Sequence, residues 1–114
     1  ARSMVDLLQK VHADKKLFKR LLPTLAVAGK AGTLARRMRG TPAQGVVRGT
    51  TGTLGNALAL SGYIQGELAT RPLVFSLLVN GTASRRVRQH MDRIAELLAR
   101  FARDMPLQEQ VALR

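Results

Sequence analysis

The sequence predicts an α+β fold: helices, then an antiparallel three-strand meander, then one long helix laid over the sheet. Three observations predict it. Apolar residues recur at helical spacing before Pro23 and after Ser84. Between them, residues 46–80 carry β-branched and apolar runs punctuated by glycine, which read as strands. The stretch joining the last two runs, Gln65-Gly66-Glu67-Leu68-Ala69-Thr70-Arg71, is too short for a helical crossover, so neighbouring strands run antiparallel.

Each element has its own signal. Ser3 followed by Asp6 reads as a helix N-cap, and Met4, Leu7, Leu8 and Val11 then continue a helix over 4–12. Asp14 caps a second short helix carrying Leu17, Phe18, Leu21 and Leu22, which Pro23 helps to stop. A loop-like stretch follows, punctuated by Gly29, Gly32, Gly40, Pro42 and Gly45, inside which Thr33 caps a turn or two of helix over 33–38. Strands are expected over 46–54, 57–64 and 73–79. The last of these is apolar on both faces, which suits a buried central strand. Ser84 caps a helix over 84–103 whose stripe is Val87, Met91, Ile94, Leu97, Leu98 and Phe101. Arg85, Arg86 and Arg88 crowd its first turn against the helix macrodipole, a local cost that folding alone does not explain.

Composition sets the outer limits. With 114 residues, 46% of them apolar, the chain is one domain with enough apolar surface for a core. There is no Cys, which excludes a disulfide framework and any thiolate metal site. No apolar run approaches the ~20 residues of a transmembrane helix, and no signal-peptide pattern is visible in Ala1-Arg2-Ser3-Met4-Val5-Asp6. The charge is the unusual feature: 19 Lys plus Arg against 7 Asp plus Glu, a net +12. Such a surface attracts polyanions. A cationic module binding nucleic acid or another anionic polymer is therefore one reading. Against it, the aromatics are only Phe18, Tyr63, Phe75 and Phe101, a poor supply for base stacking.

Catalytic constellations are scarce. His12 and His90 have no Asp, Glu or His at ligand spacing, so they read as surface or packing residues, and no metal or cofactor is expected. Asp92 and Glu96, four apart among Arg88, Arg93 and Arg100, read as helix-surface ion pairs. Gly49, Gly52 and Gly55 are not a phosphate loop, because no Lys-Ser/Thr opens a helix after them. The same stretch, Arg48-Gly49-Thr50-Thr51-Gly52-Thr53-Leu54, differs little from Arg-Ala-Lys-Thr-Gly-Thr-Leu. That resembles the Lys-Thr-Gly strand motif of serine penicillin-binding proteins. In such a strand the glycine lets a substrate backbone approach, a following N–H faces the developing oxyanion, and the Lys and Thr side chains hold the substrate carboxylate.

Further segments extend the resemblance: Leu22-Pro23, Ala26-Val27-Ala28-Gly29, Gly32-Thr33-Leu34, Arg36 to Ala43, and Leu60-Ser61-Gly62-Tyr63-Ile64. Together they resemble the D-alanyl-D-alanine carboxypeptidase/endopeptidase family of the penicillin-binding-protein-4 type, peptidase family S13, over most of the chain. The resemblance implies a transpeptidase-like fold of which residues 1–105 form a C-terminal part, with 106–114 as a flexible tail. It implies an exported enzyme of peptidoglycan metabolism, periplasmic or otherwise extracytoplasmic, working through an acyl-serine. It places Thr50 at the motif's Lys, Thr51 and Gly52 at its Thr and Gly, and Thr53 at the oxyanion-hole amide. The family's Asp in its Val-Asp-Gly-Thr-like turn is Ala31 here. None of the four serines, Ser3, Ser61, Ser76 and Ser84, has Lys three residues on, and Ser-x-Asn is absent. The expectation is therefore a fragment or degenerate relative, inactive alone. Its expected partners are a peptidoglycan stem peptide, a complementary N-terminal chain carrying further strands, or a second copy of itself.

Overall fold

The computed structural model describes residues 2–65, 72–81 and 84–104, and the expected tail at 106–114 lies outside them. Helices α1 (Arg2–Ala13) and α2 (Lys15–Leu21) come first. A four-strand antiparallel sheet follows, in the order β1 (Ala26–Val27), β2 (Val47–Leu54), β3 (Ala57–Ile64) and β4 (Leu73–Val79). Helix α3 (Arg85–Asp104) closes the element order. The α+β class and the three expected strands are as read from the sequence. The fourth strand, β1, is an addition of two residues, pairing Ala26 with Gly49 and Val27 with Arg48.

Side chains alternate across the sheet and define two cores. On one face Val47, Leu58, Leu60, Ile64 and Phe75 pack with Met91, Ala95, Ala99 and Ala102 of α3. Leu34, Met38 and Ala43, from the connection between β1 and β2, complete that layer. On the other face Tyr63 packs with Leu8 of α1 and Leu25, joined by Phe18 and Val74. The Tyr63 hydroxyl donates to the Leu8 carbonyl at 2.7 Å, and burial pushes its phenol pKa above 10.0. His12 lies edge-on to Phe18 with ring centroids 4.7 Å apart, a packing role for that histidine.

Four local expectations are corrected. Helix α1 starts at Arg2, so Ser3 sits inside its first turn rather than capping it. A first-turn N–H has no i−4 carbonyl in any case, so Ser costs little there. The expected helix over 33–38 is a single 3₁₀ turn at Gly32–Leu34, without a side-chain cap from Thr33. Met38 then takes a positive φ of 61° with its side chain buried, which no right-handed helix accommodates. Among the described residues strand β4 is an edge of the sheet, not a centre. Its two apolar faces are explained by two layers: Val74 meets the Tyr63 cluster, while Leu73, Phe75, Leu77 and Val79 meet the α3 core. The α3 stripe is also rotated from expectation. Met91, Ala95, Ala99 and Ala102 are buried, whereas Ile94, Leu97 and Phe101 are 46%, 48% and 47% exposed. Asp14 and Ser84 do cap α2 and α3, accepting from the Leu17 and Val87 amides.

Glycine sets the spacing between β2 and β3 at one rung. Gly49 and Gly62 face each other across the ladder. A Cβ on Gly49 would collide with the Ser61 carbonyl, and one on Gly62 with the Arg48 carbonyl. Those two glycines are required by close backbone approach.

Candidate functional site

Strand β2 is fully paired on one side and barely paired on the other. Strand β3 pairs with all of it, from Val47↔Ile64 to Leu54↔Ala57. Strand β1 pairs with Arg48 and Gly49 only. After Val27 the chain turns back on itself: the Val27 amide donates to the Ala31 carbonyl at 3.0 Å, and the Lys30 and Ala31 amides donate to the Val27 carbonyl. Gly32 continues that turn with φ +66°, a conformation that disfavours side chains, and a Cβ there would press on the Ala26 Cβ at 3.0 Å. Among the described residues no strand therefore covers the Thr50–Thr53 edge.

The turn carries Thr33 onto the strand. Its hydroxyl and that of Thr51 are 2.8 Å apart, across 18 residues of sequence. This pair separates two cavities. One, of about 460 Å³, runs between Pro23–Ala26, the Ala31–Thr33 turn and the β2 edge at Gly49–Thr51. The other, of about 340 Å³, lies toward α3, where Arg37, Thr53, Arg88 and Met91 join Thr33 and Thr51 in lining it. Each hydroxyl has one proton and one proton is shared within the pair, so only one O–H remains to donate outward.

The four residues expected at the site are thus together but not equivalent. Thr50 is exposed and opens only on the larger cavity. Thr51 lines both. Gly52 and Thr53 are exposed and line the smaller one. Gly52 differs from Gly49 and Gly62 in kind. A Cβ on it would meet only the Ala59 Cβ, at an ordinary 3.7 Å. Packing does not demand glycine there.

No serine is poised beside this strand among the described residues. Ser61 stands opposite Thr50, but it is buried and shares a 2.8 Å hydrogen bond with Ser76. Ser84 caps α3 and Ser3 lies in α1. No group of three or more His, Asp or Glu side chains could hold a metal among the described residues. The expected pairing of Asp92 and Glu96 along α3 is corrected in part. Asp92 is taken by Arg37 from the β1–β2 connection, at 2.5 Å from Nη2 and 3.1 Å from Nε, while Glu96 meets Arg93 at 3.4 Å. Thr33, Arg37 and Arg88 are cavity residues that the sequence reading did not single out for a site. For Thr33 a signal existed, its place in the Ala31-Gly32-Thr33 turn. For Arg88 a signal existed in the arginine-crowded first turn of α3, and for Arg37 nothing local marks the role.

A profile of the D-Ala-D-Ala carboxypeptidase 3 (S13) family matches residues 1–101. The chain is 45% identical over 87 residues to a D-alanyl-D-alanine carboxypeptidase of Actinomadura sp. (strain R39), covering 69% of this chain and 15% of that protein. Its fold resembles the crystal structure of penicillin binding protein 4 from Haemophilus influenzae, with TM-score 0.72 at 19% identity, over 91% of this chain and 24% of that one. The chain therefore spans about a seventh of the carboxypeptidase and about a quarter of the penicillin-binding protein.

Proposed function

The chain belongs to the D-Ala-D-Ala carboxypeptidase family S13, and on that premise we propose that it supplies the substrate-holding strand of a serine-type D-Ala-D-Ala carboxypeptidase site while carrying no nucleophile of its own. The observation that carries the reading is the β2 edge. Among the described residues no strand pairs with Thr50 to Thr53 on the side away from β3; Thr50 and Thr51 line one cavity, Thr51 to Thr53 the other, and Gly52 is not required by packing. A peptide backbone can lie along such an edge as an added strand, hydrogen-bonding to it while its terminal carboxylate meets hydroxyls. The Thr53 amide follows Gly52 in the position where an oxyanion would be stabilised. Hydrolysis additionally needs a serine activated by a base, and none of the four serines in the chain stands in Ser-x-x-Lys. The setting that follows from the family is extracytoplasmic peptidoglycan metabolism. No helix among the described residues is long and apolar enough to cross a membrane.

Partners belong to the same proposal. The outer edge of β4 is unpaired among the described residues, and Leu78, Ile94, Leu97 and Phe101 are about half exposed. A complementary chain bringing further strands would cover this edge and α3 face. The experiment for the function is mass spectrometry of the chain after penicillin treatment, with a D-Ala-D-Ala peptide assay alongside. The expected result is no acyl adduct and no D-Ala release. A stable adduct on any serine would overturn the reading.

A further inference from the structure

Between Lys10 and Arg20 the chain carries five Lys or Arg and one acidic residue, Asp14. Helix α2 gathers four of these cations, Lys15, Lys16, Lys19 and Arg20, on one face, because positions i, i+1, i+4 and i+5 lie together on a helix. The opposite face carries Phe18 and Leu21, which pack on the Tyr63 cluster, so the basic face looks outward and all four cations are exposed. That arrangement works against the helix. Lys15–Lys19 and Lys16–Arg20 are like-charge pairs at i,i+4, and Lys15 and Lys16 stand in the first turn, where the macrodipole disfavours cations. The adjoining Asp14 carboxylate accepts from the Leu17 amide, and among the described residues no carboxylate forms an ion pair with any of the four. Set among them is Leu17, 48% exposed, which lines a cavity of about 350 Å³ with Asp14, Lys16, Lys19 and Arg20. Helix α1 repeats the combination: Leu7 is 55% exposed, and the exposed Lys10 follows it three residues on.

We propose that the outward face of α1 and α2 is a docking surface for an anionic lipid bilayer. Anionic headgroups supply the counter-charge that Lys15, Lys16, Lys19 and Arg20 lack, and the adjoining acyl region takes the half-exposed Leu17 side chain. The leucine decides between this partner and a soluble polyanion. A nucleic acid or polyphosphate neutralises the cations but offers Leu17 no apolar phase. The ring that could stack on bases is also turned inward: Phe18 lies edge-on to His12 and Tyr63, with centroids 4.7 and 5.0 Å away. This surface is separate from the β2 edge. None of its residues lines either cavity beside that strand, so docking is independent of peptide binding there.

The test is co-sedimentation of the 114-residue chain with vesicles of phosphatidylglycerol and phosphatidylcholine, and with vesicles of phosphatidylcholine alone. At about 0.15 M salt the expected result is binding to the anionic vesicles and not to the neutral ones. Each basic residue at such a surface is worth about fivefold in affinity, so Lys16→Gln with Lys19→Gln should weaken binding about 25-fold. Arg86→Gln with Arg100→Gln removes the same charge from exposed positions of α3, and should weaken it less than about threefold. If the double lysine variant does not fold, Lys16→Gln alone is read in its place and should cost about fivefold. The chain has no Trp, so Leu17→Trp installs a single reporter whose emission should shift to the blue on anionic vesicles, as the indole leaves water. Equal losses from the α2 and α3 variants, an unshifted indole emission on bound vesicles, or equal binding to neutral vesicles would overturn the proposal. So would tighter binding of single-stranded DNA or polyphosphate with the same dependence on Lys16 and Lys19, which would assign the face to a soluble polyanion instead.

Discussion

Thr50→Lys returns the charge that the Lys-Thr-Gly motif carries and this strand lacks. Thr50 is exposed at an unpaired edge and opens on the larger cavity, so a lysine there meets no packing obstacle. A hydrogen bond to a charged group contributes about 1.5–3 kcal/mol. Arg48, two residues away on the same face of β2, repels the new charge about equally with and without the peptide, so it costs stability rather than affinity. At an exposed edge the gain for a carboxylate-terminated peptide falls toward the lower end, about 1–2 kcal/mol, or about 5–30-fold in affinity. Calorimetry with a D-Ala-terminated peptide at fixed salt measures it, with the C-terminally amidated peptide as control. The gain should vanish with the amide, and no hydrolysis should accompany it. No gain, or an equal gain with the amidated peptide, would refute the placement of Thr50 at the motif's charged position.

Two further outcomes follow from the packing. The buried Tyr63 phenol stays protonated in the folded chain at a pH where an unfolded tyrosine ionises, so its contribution is fully present below about pH 10 and is lost as pH rises further. Denaturant midpoints should show this alkaline loss as a difference between the chain and Tyr63→Phe, whose cost at pH 8 should be about 0.5–1.5 kcal/mol for the missing hydrogen bond; parallel pH profiles would contradict it. The open β4 edge and the exposed Ile94, Leu97 and Phe101 predict that the isolated chain self-associates at 0.15 M salt, where charges more than about 8 Å apart are screened. Light scattering that reports a compact monomer at every concentration would sink that expectation.

The three long strands were legible because each is a run of seven or eight residues with its own composition. Strand β1 was not: two residues carry no periodicity, and Ala26–Val27 becomes a strand only because β2 lies beside it. Helix α3 was legible in extent but not in orientation. Its large apolar residues suggested the stripe, yet the face against the sheet is built from Met91, Ala95, Ala99 and Ala102. Alanine lets a helix sit close to a sheet, and a reading weighted by side-chain size passes over it. For the site, the strand motif placed Thr50, Thr51, Gly52 and Thr53 on one edge. The Thr33–Thr51 contact and the Arg37–Asp92 pair span 18 and 55 residues and exist only through the fold. Helical spacing alone would have given Asp92 to Arg88.

The central claim is that a D-Ala-terminated peptide adds along the free edge of β2. Amide chemical shifts of the isotope-labelled chain, followed through titration with such a peptide, test it most directly. The account predicts saturable shifts concentrated at the amides of Thr50, Thr51, Gly52 and Thr53, with smaller changes at Thr33 through its hydroxyl contact with Thr51. Shifts centred instead on β4 or on the basic helices, or no saturable shift at the β2 edge, would contradict it.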